Sequence, residues 1–143
     1  MRKILLAFDG SDSSKRAVQY VIDFARMHDA TLDVHLINVQ HEAVLYGEYV
    51  NDEMIDNMQQ SLLAKAREVL EWPAEQLKGA GIAHQSHALL GNVAEQVGIA
   101  SKQLGCDTVV MGTRGLGSFT GMLLGSVATR VVHAVPVPVL LVK

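Results

Sequence analysis

Apolar positions along this chain fall in five short runs, separated by stretches in which they recur every three or four residues. Residues 4–8 form one run, bounded by the turn residues Asp9, Gly10 and Ser11. Residues 32–39 are apolar except for Asp33, His35 and Asn38, residues 82–90 form a weaker run, and residues 108–112 and 137–142 complete the set. Runs this short, apolar on successive positions, predict strands buried on both faces. Between them, Ala17, Val18, Val21, Ile22 and Ala25 share a helical face in a helix starting near Ser13. Met54, Met58, Leu62, Ala66 and Leu70 recur every four residues and predict a second helix, which Pro73 should kink or end. Gly91 and Asn92 open a third, with Val93, Val97, Ala100 and Leu104 turned inward, and residues 127–134 read as a last one. Residues 40–52 have no clear period and predict a long connection. Strand alternating with helix, with no repeat, argues a single doubly wound α/β domain over residues 1–143 with a parallel sheet, helices on both faces and right-handed crossovers.

Composition sharpens this outline. With 143 residues, 49% hydrophobic and 19% charged, the chain suits one globular domain burying about two thirds of its unfolded surface. A net charge of −3 and the lack of a basic block argue against nucleic acid as a partner. Cys106 is the single cysteine, so no internal disulfide forms; at the start of a strand it reads as a small buried hydrophobe. The apolar run at the N-terminus is too short for a signal peptide or a membrane span, so the expectation is a cytoplasmic protein without a membrane partner. The methionine stripe is expected in the core. His84 and His87, three apart in a strand, should point to opposite faces and share no metal.

The glycines are not spread evenly. Five of twelve lie between Gly112 and Gly125, directly after the fourth apolar run. Glycine lets main-chain N–H groups converge on an anion, and a helix beginning near Gly125 would present unpaired N–H groups and the positive end of its dipole. Strand, glycine loop and helix N-terminus together could cradle a phosphate; a flexible connection with glycine turns is the competing reading. Gly112, Gly115, Gly125 and Ser126 are spaced as G-2x-G-9x-G-S. That spacing resembles the signature of the ATP-binding branch of the universal stress protein family. The start of the chain, Leu-Leu-Ala-Phe-Asp-Gly-Ser, and its end, Pro-Val-Pro-Val-Leu-Leu-Val, are similar to the family as well.

The resemblance implies the adenine nucleotide alpha hydrolase-like fold, with strand order 3-2-1-4-5 in a five-stranded sheet. Ligands of open α/β sheets bind outside the carboxyl ends of the strands where the order reverses, here between the first and fourth strands. By family analogy the ligand is ATP, or ADP or AMP, with Mg²⁺. Gly112, Gly115, Gly125, Ser126 and Val127 would contact phosphate and ribose, with Gly117 and Ser118 adding donors inside the loop. Ala7 and Val39 match positions facing the adenine and ribose, and Met111 matches one lying against the base. Asp9 reads either as a contact to ribose or nucleotide-bound Mg²⁺, or as a turn residue of the Asp-Gly-Ser sequence. Ser11 and Ser13 read as helix caps. Arg114 is the one cation in the glycine segment and either pairs with phosphate or is a solvated loop residue. Phe8 stands where a smaller aliphatic residue is usual, and its bulk either narrows the base pocket or fills the core. The family commonly dimerises through the last strand, so a homodimer through residues 137–142 is expected.

Neither a P-loop lysine motif nor a GxGxxG after the first strand is present. No Ser-His-Asp set, evident general base or metal-ligand cluster stands out. These absences point to a binding module with slow hydrolysis at most, and the resemblance implies that it is a nucleotide-dependent stress-response regulator. A slow ATP hydrolase or phosphotransferase using Asp9 and Mg²⁺, and a dimeric scaffold or chaperone-like protein with incidental nucleotide, are the alternatives.

Overall fold

The computed structural model describes residues 1–44, 47–116 and 124–143. Each apolar run is a strand: β1 (Lys3–Ala7), β2 (Asp33–Gln40), β3 (Ala83–Leu90), β4 (Thr108–Gly112) and β5 (Val139–Val142). They pair in parallel in the order β3-β2-β1-β4-β5. β1 is central, with Ile4 beside Val34 on one side and Thr108 on the other. β5 begins two residues later than the apolar run suggests. Pro136 and Pro138 have no N–H to give a ladder, although the Pro138 carbonyl accepts from Val109 N–H at 2.9 Å.

The helices are α1 (Asp12–Met27), α2 (Asp52–Val69), α3 (Glu71–Gly79), α4 (Val93–Gln103) and α5 (Ser126–Ala134). α1 starts where the Ser11 side chain accepts from Ser14 N–H, and Asp12 in its first turn and Arg26 in its last suit the dipole. Asn51 and Asn92 cap α2 and α4 in the same way. The break between α2 and α3 falls at Leu70, three residues before Pro73. Lacking an N–H, Pro73 cannot bond the Val69 carbonyl, and its ring crowds that turn.

Two apolar clusters cover the two faces of the sheet. Ile4, Leu6, Val34, Leu36 and Val110 meet Ala17, Val18, Val21 and Ile22 of α1 and Leu77 of α3. Leu5, Ile37, Val109 and Met111 meet Val97 and Ala100 of α4 and Ala128 and Val131 of α5. Each fully buried aliphatic side chain contributes about 1.5–3 kcal/mol. The methionine stripe follows this core only in part: Ala66 and Leu70 are buried, but Met58 is half-buried and Met54 exposed, so α2 reaches the core at its C-terminal end. Cys106 is a free, buried thiol, its pKa raised first by burial.

The two β3 histidines have different partners, one of them a histidine on the neighbouring strand that the spacing argument did not address. His84 Nδ1 turns to the Ile82 carbonyl, whereas His87 Nε2 lies 2.9 Å from Nδ1 of His35 on the neighbouring strand. Burial, and then the adjacent His35, hold the His87 pKa below its ordinary value. Among the described residues no helix is long and apolar enough to cross a membrane.

Candidate functional site

Reversal of strand order between β1 and β4 leaves a crevice at their carboxyl ends, and a cavity of about 570 Å³ occupies it. Its size is in the range of small-ligand sites. The ends of β1, β2 and β4 form its floor through Ala7, Val39 and Met111, while the N-terminal turns of α1, α4 and α5 contribute Ser14, Val93 and Val127. Ten of the twelve residues singled out from the sequence line this one cavity: Ala7, Asp9, Val39, Met111, Gly112, Arg114, Gly115, Gly125, Ser126 and Val127. Gly117 and Ser118 lie outside the described residues.

The turn after β1 serves two purposes. Gly10 has φ +85°, a conformation that favours glycine, and it lets Asp9 Oδ1 accept from Ser11 N–H at 2.9 Å. That is an Asx turn, and the same carboxylate lines the cavity. The structure thus shows the turn reading of Asp9, in a residue that also lines the cavity. Its second oxygen, Oδ2, would lie 3.0 Å from a Cβ placed on Gly115, so a side chain at 115 would press on it. Of the two serines expected as caps, Ser11 is the cap. Ser13 is not: it lies inside α1, buried, and donates to the Arg114 carbonyl at 2.6 Å.

Gly112 has a packing reason of its own. A Cβ there would sit 2.2 Å from Ser13 Oγ and 2.8 Å from the Ser13 main chain, so only glycine lets α1 approach the end of β4 this closely. Thr113, which the sequence did not single out, ties the glycine segment at its base. Its N–H donates to the Val142 carbonyl at 2.9 Å and its carbonyl accepts from Gly125 N–H at 2.6 Å. The two ends of the segment are thus held together beside the cavity.

α5 begins at this latch. Gly125, at φ −70° and ψ 160°, occupies its cap position and offers no side-chain bond, and its first turn has no acidic residue. The first helical bond runs from Thr129 N–H to the Gly125 carbonyl, so the amides of Ser126, Val127 and Ala128 precede the intrahelical ladder. α1 and α4, which also start at the cavity, have their first turns capped by Ser11 and Asn92 and carry Asp12 and Glu95 there. Among the described residues, α5 alone of these three brings to the cavity a positive dipole end with no side-chain cap and no acidic residue in its first turn. Arg114 adds an exposed guanidinium that joins no ion pair among the described residues. The wall toward α4 and β4 is apolar, through Val93, Val97 and Met111.

Asn38 is a further lining residue missed by motif reading. It is buried, donates from Nδ2 to the Phe8 carbonyl at 2.8 Å and accepts from Gln40 Nε2 at 2.7 Å. Its signal was available as the polar interruption of an apolar strand, since a buried amide must be satisfied. Among the described residues no group of three or more His, Cys, Asp or Glu side chains is arranged to hold a metal ion. Asp9, with one oxygen engaged by Ser11, suits a Mg²⁺ whose other ligands come from phosphates and water, not a cage built by the protein.

Solved structures share this architecture. The protein MJ0577, described as a test case for assigning biochemical function from structure, superposes with a TM-score of 0.83 at 26% identity, covering 99% of this chain and 95% of that one. An Arabidopsis thaliana universal stress protein family member with AMP bound superposes with a TM-score of 0.72 at 23% identity, covering 100% and 92%. In sequence, the universal stress protein in the QAH/OAS sulfhydrylase 3′ region of Thermus aquaticus is 36% identical over 143 residues, covering 99% of this chain and 98% of its own. The model of the universal stress protein family matches residues 1–143, and the chain belongs to that family.

Proposed function

We propose that this protein binds an adenine nucleotide in the switch-point cavity, phosphates toward the N-terminus of α5 and base toward β2 and β4. The observation that carries the reading is the start of α5 at the cavity, which among the described residues has no side-chain cap and no acidic residue in its first turn. An anion there gains the amides and the dipole end together. Gly115, Gly125, Ser126 and Val127 surround the phosphates, and Arg114 pairs with them from the open side. Met111 lies against the base, while the main chain at Ala7 and Val39 faces the base and ribose. Asp9 meets the ribose or a Mg²⁺ brought by the phosphates. AMP in the Arabidopsis neighbour supports an adenine ligand for this cavity.

The role we assign, following the family resemblance, is that of a regulator in the stress response, acting in the cytoplasm through its nucleotide state. Heating the nucleotide-free protein with and without Mg-ATP tests the binding. Ligand at a hundred times its dissociation constant stabilises by about 2.7 kcal/mol, raising the melting temperature by roughly 3–6 °C for a domain of this size. An unmoved transition at millimolar Mg-ATP rejects the reading.

The same proposal includes a homodimer. β5 lies at the edge of the sheet, and all four of its residues, Val139, Leu140, Leu141 and Val142, are half-buried in the single chain. An apolar edge of this kind invites pairing with a second copy. Sedimentation at micromolar concentration should give twice the chain mass of 15.5 kDa; a monomer refutes it.

A further inference from the structure

The Arg114 carbonyl is held by two hydroxyls from the start of α1. Ser13 Oγ donates to it at 2.6 Å and Ser11 Oγ lies 3.2 Å away. Ser11 also serves the helix, since its oxygen accepts Ser14 N–H and caps α1. Ser13 does not, because it sits within the first turn, its hydroxyl caps nothing, and it is 4% exposed. A buried hydroxyl in a helix is placed there for a partner, and the partner is a main-chain oxygen in the loop that follows β4. Gly112 makes the contact possible, because any Cβ at that position would collide with Ser13.

This contact fixes a peptide plane. The carbonyl of residue 114 and the N–H of residue 115 lie in one rigid plane and point in opposite directions. With the oxygen engaged by two hydroxyls of the α1 turn, its lone pairs are occupied beside the cavity that Arg114 and Gly115 line. Were it released, the plane could rotate and turn the oxygen toward the anion. The turn that carries the serines also carries Asp9, so one short segment positions both a cavity carboxylate and the start of the glycine loop.

We infer that Ser13 is a positioning residue for the anion-binding loop, orienting the peptide between Arg114 and Gly115 for a phosphate-bearing ligand. The inference rests on the nucleotide reading above. In Ser13→Ala, affinity for ATP should fall by about threefold to tenfold, the net effect of one hydrogen bond, while affinity for adenosine, which lacks phosphates, stays as in the wild type. Amide exchange measured without ligand should speed up over residues 113–116 and remain unchanged along α1. Ser13→Thr, which keeps a hydroxyl, should preserve both properties and separates loss of the bond from loss of fold. Equal weakening of ATP and adenosine, or an unchanged ATP affinity, overturns the inference. If wild-type protein binds neither ligand, the nucleotide reading fails, and exchange decides the remaining claim about Ser13: unchanged exchange at 113–116 overturns it too.

Discussion

An aspartate in place of Ser126 should stabilise the empty protein and abolish most of its nucleotide affinity. Ser126 is the first residue of α5, exposed beside the cavity, in a turn with no acidic side chain. A carboxylate at a helix N-terminus gains about 0.3–1 kcal/mol from the dipole, so the melting temperature of ligand-free Ser126→Asp should rise by a few degrees. A phosphate placed at the same turn meets that carboxylate as a like charge. At about 4 Å and an effective dielectric constant near 20, the repulsion is about 4 kcal/mol. Solvent at the open mouth reduces it, leaving a loss of roughly a hundredfold or more in ATP affinity. Ser126→Ala is the control, since it removes only a hydroxyl and should cost no more than about tenfold. Calorimetric titration beside thermal melting gives both signs in one preparation. An aspartate variant that is more stable and still binds ATP as the wild type does would place the phosphates elsewhere.

The fold was legible because β1 and β4 are nearly continuous apolar runs, β2 is apolar at half of its positions and the helices carry periodic stripes. β3, Ala-His-Gln-Ser-His-Ala-Leu-Leu, was the weakest signal because it is an edge strand, exposed along much of its first half. Strand order was not legible from periodicity, which says how a segment is buried but not which neighbour it pairs with; the family resemblance supplied it, and the sheet has that order. Helix ends were clearest where a side chain makes the cap, as at Asn92. They were misread where the polar residue serves tertiary structure. Ser13 has the composition of a cap, yet its hydroxyl goes to a residue 101 positions away. Likewise, the spacing of Gly112 and Gly115 reads as ligand approach, while the structure adds reasons internal to the protein: Ser13 beside Gly112 and Asp9 beside Gly115. Such partners lie on other elements, and only three-dimensional contact reveals them. Thr113 shows the same limit, because the two bonds by which it ties the segment are main-chain and its side-chain type does not signal them.

Phe8 tests where the core ends and the cavity begins. Its ring is 3% exposed, belongs to the cluster under α1, and stacks on Trp72 with centroids 5.7 Å apart and planes 17° from parallel. Lys15 Nζ covers Trp72 at 5.9 Å from its centroid. The residue is also among those that line the cavity, so of the two readings left open by sequence the structure shows core filling, and the pocket-wall reading is open to test. Its main-chain bonds to Ile37 and Asn38 do not involve the ring and should survive truncation. Phe8→Ala should therefore cost about 3–5 kcal/mol, as large cavities in cores do, and lower the melting temperature by roughly 10–20 °C. That is a large fraction of the 5–15 kcal/mol typical of a domain, so Phe8→Leu serves as the milder companion. Emission from Trp72 should shift to longer wavelength as its stacking partner is lost. If the ring is chiefly core, ATP affinity of Phe8→Leu stays within about threefold of wild type while stability falls. A variant of undiminished stability whose ATP affinity changes tenfold or more would instead make the ring a wall of the base pocket, and the usual smaller residue at this position would then mark a wider one.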